Sequence, residues 1–573
     1  MSTPDQGRRR PLVARDHGLA LACLAGAAIF YTWPLAADLR GSIPGLSRLT
    51  DVTEYVWLVG WVQYALTHHV FPLKTGWLLV PFESELRLGT FCFLQALAAF
   101  PLTGPLGIIG AYNTVLIGTL FLNGASAYWL IYLLVHRVAP ALLSSAAFML
   151  SVAVVWHFVA GRLALPSLWI VVCALILLRA LALQPEFWKG ILLGCALLAA
   201  LLSDFQIVLF TALWLAVYFL YLVGTLGRKL FAPKFSIASL IALLIFAVPF
   251  LLIYFPALVN ARSAGYPVPT LEDAAFYSFR LVDFTDLHDI PFIYGFDFLL
   301  AAVAAIALLW RRVEIRFWLA GALFFFVLAL GPYLQPTLLP MPFALIKLAP
   351  ALTQFRTPYR FVMPAQIGLA VTSGFVLEHM LARVSRRTLQ AGITAVLFAA
   401  RVWYTPWVQP FAVQTYPEYA FYHQLASQAG DFSLIEVPFG IRSGLQRIGD
   451  GGEAFQYYQH VHGKRLLNGS MARVPSHVFE FYRSHPALLF LAGEPSTSPL
   501  DLEQDFADVL AWSNTHYVVV HLSYLRPGQA AGILAFLDGQ PALQRLPPEQ
   551  DIIVYRVTGQ PGSFRGRPEW RPY

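Results

Sequence analysis

The sequence predicts an α-helical polytopic membrane protein of about eleven transmembrane helices. Juxtamembrane helices in the first extracytoplasmic loop and a C-terminal extracytoplasmic α/β domain complete the predicted fold class. Three observations carry this. Of 573 residues, 58% are apolar, 15% aromatic and only 12% charged, far from the balance of a soluble globular chain. The apolar residues gather into runs able to cross about 30 Å of hydrocarbon, with short basic clusters between them. After residue 406 short apolar runs alternate with polar, helix-capable stretches, the pattern of a small soluble domain.

The long runs fall at 17–36, 109–135, 140–158, 164–183, 189–203, 207–225, 236–258, 294–310, 317–334, 361–382 and 389–406. The run 88–103 is shorter and interrupted, and it reads as a helix lying in the interface. With that helix in plane, Arg8/Arg9/Arg10/Arg15, Arg137, Lys189, Arg228/Lys229/Lys234, Arg311/Arg312/Arg316 and Arg383/Arg386/Arg387 all face one side, which the positive-inside rule makes the cytoplasm. Were 88–103 a full span, every later cluster would cross to the other side while the first stayed. The predicted organisation is a cytoplasmic basic N-terminus (1–16), a transmembrane domain (17–406) whose first outer loop (37–108) carries the in-plane helices, and an outer domain (407–573).

Several functions are disfavoured. A net charge of +7 would suggest nucleic acid in a soluble chain, but here the basic residues follow the topology, so nucleic acid is not a predicted partner. Cys23, Cys92, Cys173 and Cys195 lie in apolar segments without CxxC spacing, which supports neither a zinc site nor a disulfide framework. The N-terminus has the charge order of a signal peptide, yet its apolar run exceeds the roughly 7–15 residues of a signal core and reads as a retained anchor. No Ser-His-Asp or Cys-His arrangement, no GxxxxGK[ST] and no strand–GxGxxG–helix context appears, so hydrolase chemistry and direct nucleotide use lack support.

The stretch 39–88 is the most unusual part of the chain. Asp51 and Glu54 stand just ahead of an aromatic amphipathic helix in which Tyr55, Leu58, Val59 and Val62 recur at helical spacing, interleaved with Trp57, Trp61 and Tyr64. Two readings of the acids are compatible. They cap the helix and favour its dipole, or a carboxylate at this membrane boundary accepts a proton from an acceptor hydroxyl.

Arginine suits phosphate because its planar fork binds two oxygens at once. Arg356 and Arg360 stand just before a span on the outer side, against the positive-inside trend; they bind a phosphate there or reach for lipid headgroups. Arg162, Arg262, Arg280 and Lys74 are further candidates for the same task. His157 lies with Arg162 at an outer turn, where it either packs or joins the site. Asp204 sits at the junction of two apolar helices and reads as a cavity acid or as a helix cap. The loop with Glu272, Asp273, Asp283, Asp286, His288 and Asp289 mixes metal-ligand types, but its spacing matches no established cage; a divalent metal is not a firm expectation and no metal ligands are assigned. In the outer domain Tyr457, Tyr458, His460 and His462, with Lys464 and Arg473, form a polar aromatic group that either binds an acceptor glycan or is solvated surface.

Taken in order, these features resemble a family. They are the acid of D-x-x-x-x-x-W-x-x-x-W (Asp51, Trp57, Trp61), the run HHVFPLKTGWLLVPF (68–82), a second in-plane helix, His157 with Arg162, FRTPYRF (355–361) and YYQHVHGKRLLNGSMAR (457–473). Together they resemble bacterial membrane glycosyltransferases of the GT-C superfamily, in particular the YfhO-like and dolichyl-phosphate-mannose-type proteins. The resemblance implies a first outer loop with two juxtamembrane helices, a polyprenyl-phosphate-linked sugar as donor, and Asp51 as the base. It further implies a bacterial plasma (inner) membrane, surrounding lipids, and an extracytoplasmic glycan or lipid as acceptor. Adjacent DD or DE acids are missing, which leaves the part of Glu54 open. Two other classes fit the same composition: a transporter or flippase of a lipid-linked substrate, and a non-catalytic protein of the same fold. No inverted repeat and few ionisable residues within spans are visible to favour transport.

Overall fold

A computed structural model describes residues 6–45, 51–89, 92–261, 263–286, 289–337, 339–348, 352–405, 411–450, 452–494 and 499–558. The chain forms two compact units, one made of Met1–Pro44, Asn113–Ile253 and Val268–Val413, the other of Gly45–Tyr112, Tyr254–Pro267 and Gln414–Tyr573.

The first unit is helical. Each apolar run of the sequence holds a helix, because an apolar environment leaves backbone groups no partner but one another. Among the described residues four helices are long and apolar enough to cross a membrane: Phe93–Val135, Phe205–Leu226, Pro233–Asn260 and Pro358–Leu381. The pair Val138–Met149 and Val152–Val159, bent by 47°, makes a fifth if it crosses as one. Other apolar helices, such as Leu168–Leu183 with 16 residues and Phe296–Leu309 with 14, fall short of the ~20 residues of a straight span. Gly107, at φ +74°, interrupts the helix beginning at Phe93, and this break separates the expected 88–103 and 109–135 segments.

Val362–Leu381 is buried along most of its length and forms the centre of this unit. A Cβ on Gly368 would meet the Trp318 carbonyl oxygen at 2.5 Å, so the absence of a side chain there lets two backbones touch. Gly190 does the same against the Ala238 carbonyl oxygen, at 2.3 Å.

In the second unit the expected apolar runs of the tail become the strands Ser433–Val437, Thr515–His521 and Ile552–Val557. Ser433–Val437 pairs in parallel with Thr515–His521 and with Arg465–Leu466, while Ile552–Val557 pairs antiparallel with Thr515–His521 and with Leu543–Arg545. One of the helix-capable stretches of the tail forms the helix Pro499–Trp512.

The early loop folds together with this C-terminal segment. Leu466 N donates to the Trp77 carbonyl at 2.8 Å, and Val80 N donates to the Leu466 carbonyl at 3.2 Å, so the loop covers an otherwise open sheet edge. The aromatic helix, Val52–Thr67, packs its tryptophans inward, with Trp57 and Trp61 stacked at 6.3 Å. Gln459, fully buried, fastens it: its Oε1 accepts from Trp57 Nε1 at 2.6 Å, and its Nε2 donates to the carbonyls of Trp77 and Lys464 at 2.8 and 2.7 Å. The sequence places the start of the outer domain at 407; the unit that contains the tail also takes in 45–112 and 254–267.

One expectation is corrected here. Tyr457, Tyr458 and His462 are not a solvent-facing patch, since they are only 7%, 3% and 2% exposed and lie in an aromatic core with Tyr416, Tyr419 and Tyr422. His460 closes against Gly60, its Cβ 3.2 Å from where a glycine Cβ would stand. The rings pack because their apolar faces outweigh their polar edges, and some of those edges find partners, as where Lys464 N donates to His462 Nδ1 at 3.0 Å. The same core holds Glu436, whose carboxylate accepts from Tyr422 at 3.0 Å and lies 2.8 Å from His521 Nε2.

Burial pushes the His460 imidazole down to about 4 and the His462 imidazole down to about 3, from an ordinary 6.5. Both are neutral in the fold and charge readily only when it opens. Their contribution to stability is complete above pH ~6.5, falls as the unfolded imidazoles take up protons below that, and is gone near pH 3. A melting-temperature profile should therefore drop between pH 6.5 and 4, and His462→Phe should flatten that drop. Gln459→Leu leaves a buried indole N–H and two carbonyls without their partner; thermal unfolding followed by tryptophan fluorescence should show a loss of roughly 2–3 kcal/mol.

Candidate functional site

Two groups of predicted residues take definite geometry, one in each unit. In the first unit Val152–Val159 is the short second half of the bent pair, and His157 occupies its last turn, fully buried. The chain then turns at Gly161, and Arg162 folds back so that its Nη1 donates to His157 Nδ1 at 2.9 Å. Asn123 holds the following turn: its Nδ2 donates to the Pro166 carbonyl at 2.7 Å and its Oδ1 accepts from Trp169 N at 2.7 Å.

The segment FRTPYRF enters the helix Val362–Leu381 through a tight turn at Pro358–Phe361. Arg360 Nη1 donates to Gln206 Oε1 at 3.0 Å, and its Nε reaches the Tyr359 hydroxyl at 3.4 Å. Arg162 also hydrogen-bonds that hydroxyl. Two guanidinium groups thus meet at one phenol, and a buried imidazole holds one of them, at a helix turn beside the start of Phe205–Leu226. Such a concentration of cationic donors favours an anion, and phosphate most of all. Arg356, on the same segment, lies with its guanidinium carbon 5.2 Å from the centre of the Tyr277 ring.

Asp204 is the N-cap of Phe205–Leu226, its Oδ1 accepting from Gln206 N at 2.7 Å. It thereby orients the residue whose side chain receives Arg360. Two carboxylates of the 272–289 loop have structural partners: Asp273 forms a capping box with Thr270, and Asp283 takes the backbone N–H and guanidinium of Arg280. Among the described residues no group of three or more metal-binding side chains occurs. Arg262 and His288 lie outside the described residues.

In the second unit Asp51 immediately precedes Val52–Thr67, and its side chain makes no capping hydrogen bond. Its Oδ1 lies 3.7 Å from Arg442 Nη2, both side chains being about one-third exposed at 31% and 37%. Arg442 is fixed by its backbone, which pairs with Ser470 on one side and Arg447 on the other. Glu54 is in the first helical turn. Lys74 sits in a two-residue strand opposite Glu85, whose own carboxylate grips Arg87. The sequence offered no signal for Arg442, since only the pairing of 441–442 with 469–470 brings it to Asp51. Tyr359 stands inside FRTPYRF and Gln206 two residues after Asp204, but both are neutral side chains, and nothing in their spacing marks them.

By sequence, no family description and no curated protein matches the chain. By structure it is similar to the arabinofuranosyltransferase AftD from Mycobacteria, with a TM-score of 0.59 at 14% identity, over 95% of this chain and 40% of that one. The chain thus spans less than half the length of that protein. It is also similar to ArnT from Cupriavidus metallidurans in the apo state, with a TM-score of 0.50 at 12% identity, over 95% of this chain and 99% of that one. Both neighbours are GT-C glycosyltransferases. The protein has the fold of the GT-C superfamily of membrane glycosyltransferases.

Proposed function

We propose that the protein is an integral membrane glycosyltransferase that moves a sugar from a polyprenyl-phosphate-linked donor to an extracytoplasmic glycan, lipid or cell-envelope acceptor. Its setting would be a bacterial plasma membrane, with the C-terminal segment outside. The observation that carries this reading is the meeting of Arg162 and Arg360 at the Tyr359 hydroxyl, a cationic group suited to a lipid-linked phosphate, in a chain of GT-C fold. His157 and Gln206 support those two arginines, and Arg356 stands on the same segment as Arg360.

In this reaction Asp51 takes the proton from the acceptor hydroxyl, and the freed oxygen attacks the anomeric carbon. The bond from that carbon to the phosphate oxygen breaks, the electron pair leaves on the polyprenyl phosphate, and Arg162 and Arg360 stabilise the charge that develops there. Arg442, 3.7 Å away, neutralises part of the charge beside Asp51.

Purified protein in nanodiscs, supplied with polyprenyl-phosphate pentoses and hexoses, should release polyprenyl phosphate in an acceptor-dependent way. Asp51→Asn should lower that rate by ~100-fold or more with the melting temperature unchanged. Turnover near the wild-type rate removes Asp51 as the base. Arg360→Ala should raise the donor KM by about tenfold, the scale of one lost charge-assisted hydrogen bond.

A further inference from the structure

A single arginine of the helix Arg387–Trp403 closes a break in the helix pair that leads to the proposed phosphate site. Arg387–Trp403 has no buried residue of its own. Its Arg401 nevertheless turns inward and is only 16% exposed. The Nη2 of Arg401 donates to the carbonyls of Ala147 and Leu150 at 3.2 and 2.8 Å, and its Nε lies 3.3 Å from Asp297 Oδ2.

Those two carbonyls belong to the end of Val138–Met149, where the span bends by 47° before Val152–Val159 begins. The last carbonyls of a helix have no partner within it, and inside an apolar environment each one left open is costly. One guanidinium, with several donors in a rigid fork, serves both, and Asp297 balances its charge. The half-helix that starts beyond this break carries His157 in its last turn and leads directly to Arg162.

We infer that Arg401 is a positioning residue for the phosphate site: it holds the bend of the broken span, and the bend sets where His157 and Arg162 stand. The inference rests on the reading of Arg162 and Arg360 as phosphate ligands. Without the arginine the two half-helices gain by straightening or by taking in water, and either change moves Arg162 relative to Arg360. Lysine, a single ammonium on a flexible stem, cannot serve two carbonyls and a carboxylate in one geometry.

The test is binding of undecaprenyl phosphate to the full-length protein in nanodiscs, with melting temperature measured on the same samples. Arg401→Met should weaken binding about tenfold and Arg401→Lys about threefold, with Asp297→Asn similar to the lysine variant, the range expected for lost charge-assisted contacts. Arg401→Met, which leaves both carbonyls open, should also lower the melting temperature, and Arg401→Lys and Asp297→Asn should lower it less, so binding is compared at a temperature where every variant is folded. Wild-type affinity in both Arg401→Lys and Asp297→Asn overturns the inference, and those two variants decide the matter if Arg401→Met does not fold. Arg360→Ala is the control on the underlying reading. If it loses binding while the Arg401 variants keep it, only the inference fails; if Arg360→Ala also binds normally, the phosphate reading fails and the inference with it.

Discussion

A backbone group that leaves its helix inside an apolar protein has no water to turn to, and the cost of leaving it open is several kcal/mol. Both units of this protein meet that constraint with long polar side chains placed where helices break or loops enter. Asn123 serves the turn at Pro166–Trp169, Gln366 donates to the Ile293 carbonyl at 2.6 Å, and Arg401 closes the end of Val138–Met149. Gln459 does the same for the early loop, joining Trp57, Trp77 and Lys464. These side chains are also what hold the candidate functional groups in place. The turn with Arg162 hangs from Asn123 on one side and from the bend at Leu150 on the other, and the helix behind Asp51 is fastened by Gln459.

This explains why polar residues that look expendable in an apolar sequence are buried so completely. Gln459, with its amide oxygen and both amide hydrogens used, specifies one arrangement, because any shift leaves a donor or acceptor open. The same logic keeps Glu436 in the core of the C-terminal segment, where Tyr422 and His521 share its carboxylate. Stability and site geometry therefore rest on one set of contacts, so a substitution at these positions moves both.

Much of the fold was legible in the sequence. Apolar runs of sufficient length become helices whatever their neighbours, and the interruption between 88–103 and 109–135 appears as the break at Gly107. The strands of the tail followed from their alternation with polar stretches. What could not be read was long-range. Asp51 stands far from Arg442 in the chain, and only the register of Ile441–Arg442 against Gly469–Ser470 joins them. Tyr457, Tyr458 and His462 read as an acceptor-binding group or as solvated surface because their side chains carry polar atoms; the structure buries the rings against one another. Arg401 was hidden for the opposite reason: inside an apolar run, an arginine near a helix end reads as reaching for lipid headgroups, and its carbonyl partners are about 250 residues earlier.

The most direct measurement is an experimental structure of the protein with bound polyprenyl phosphate. The phosphate should lie within hydrogen-bonding distance of the guanidinium groups of both Arg162 and Arg360, near the Tyr359 hydroxyl. A phosphate seated on the other arginine cluster, where Arg137 and Arg312 meet Glu378, would contradict the assignment of this site.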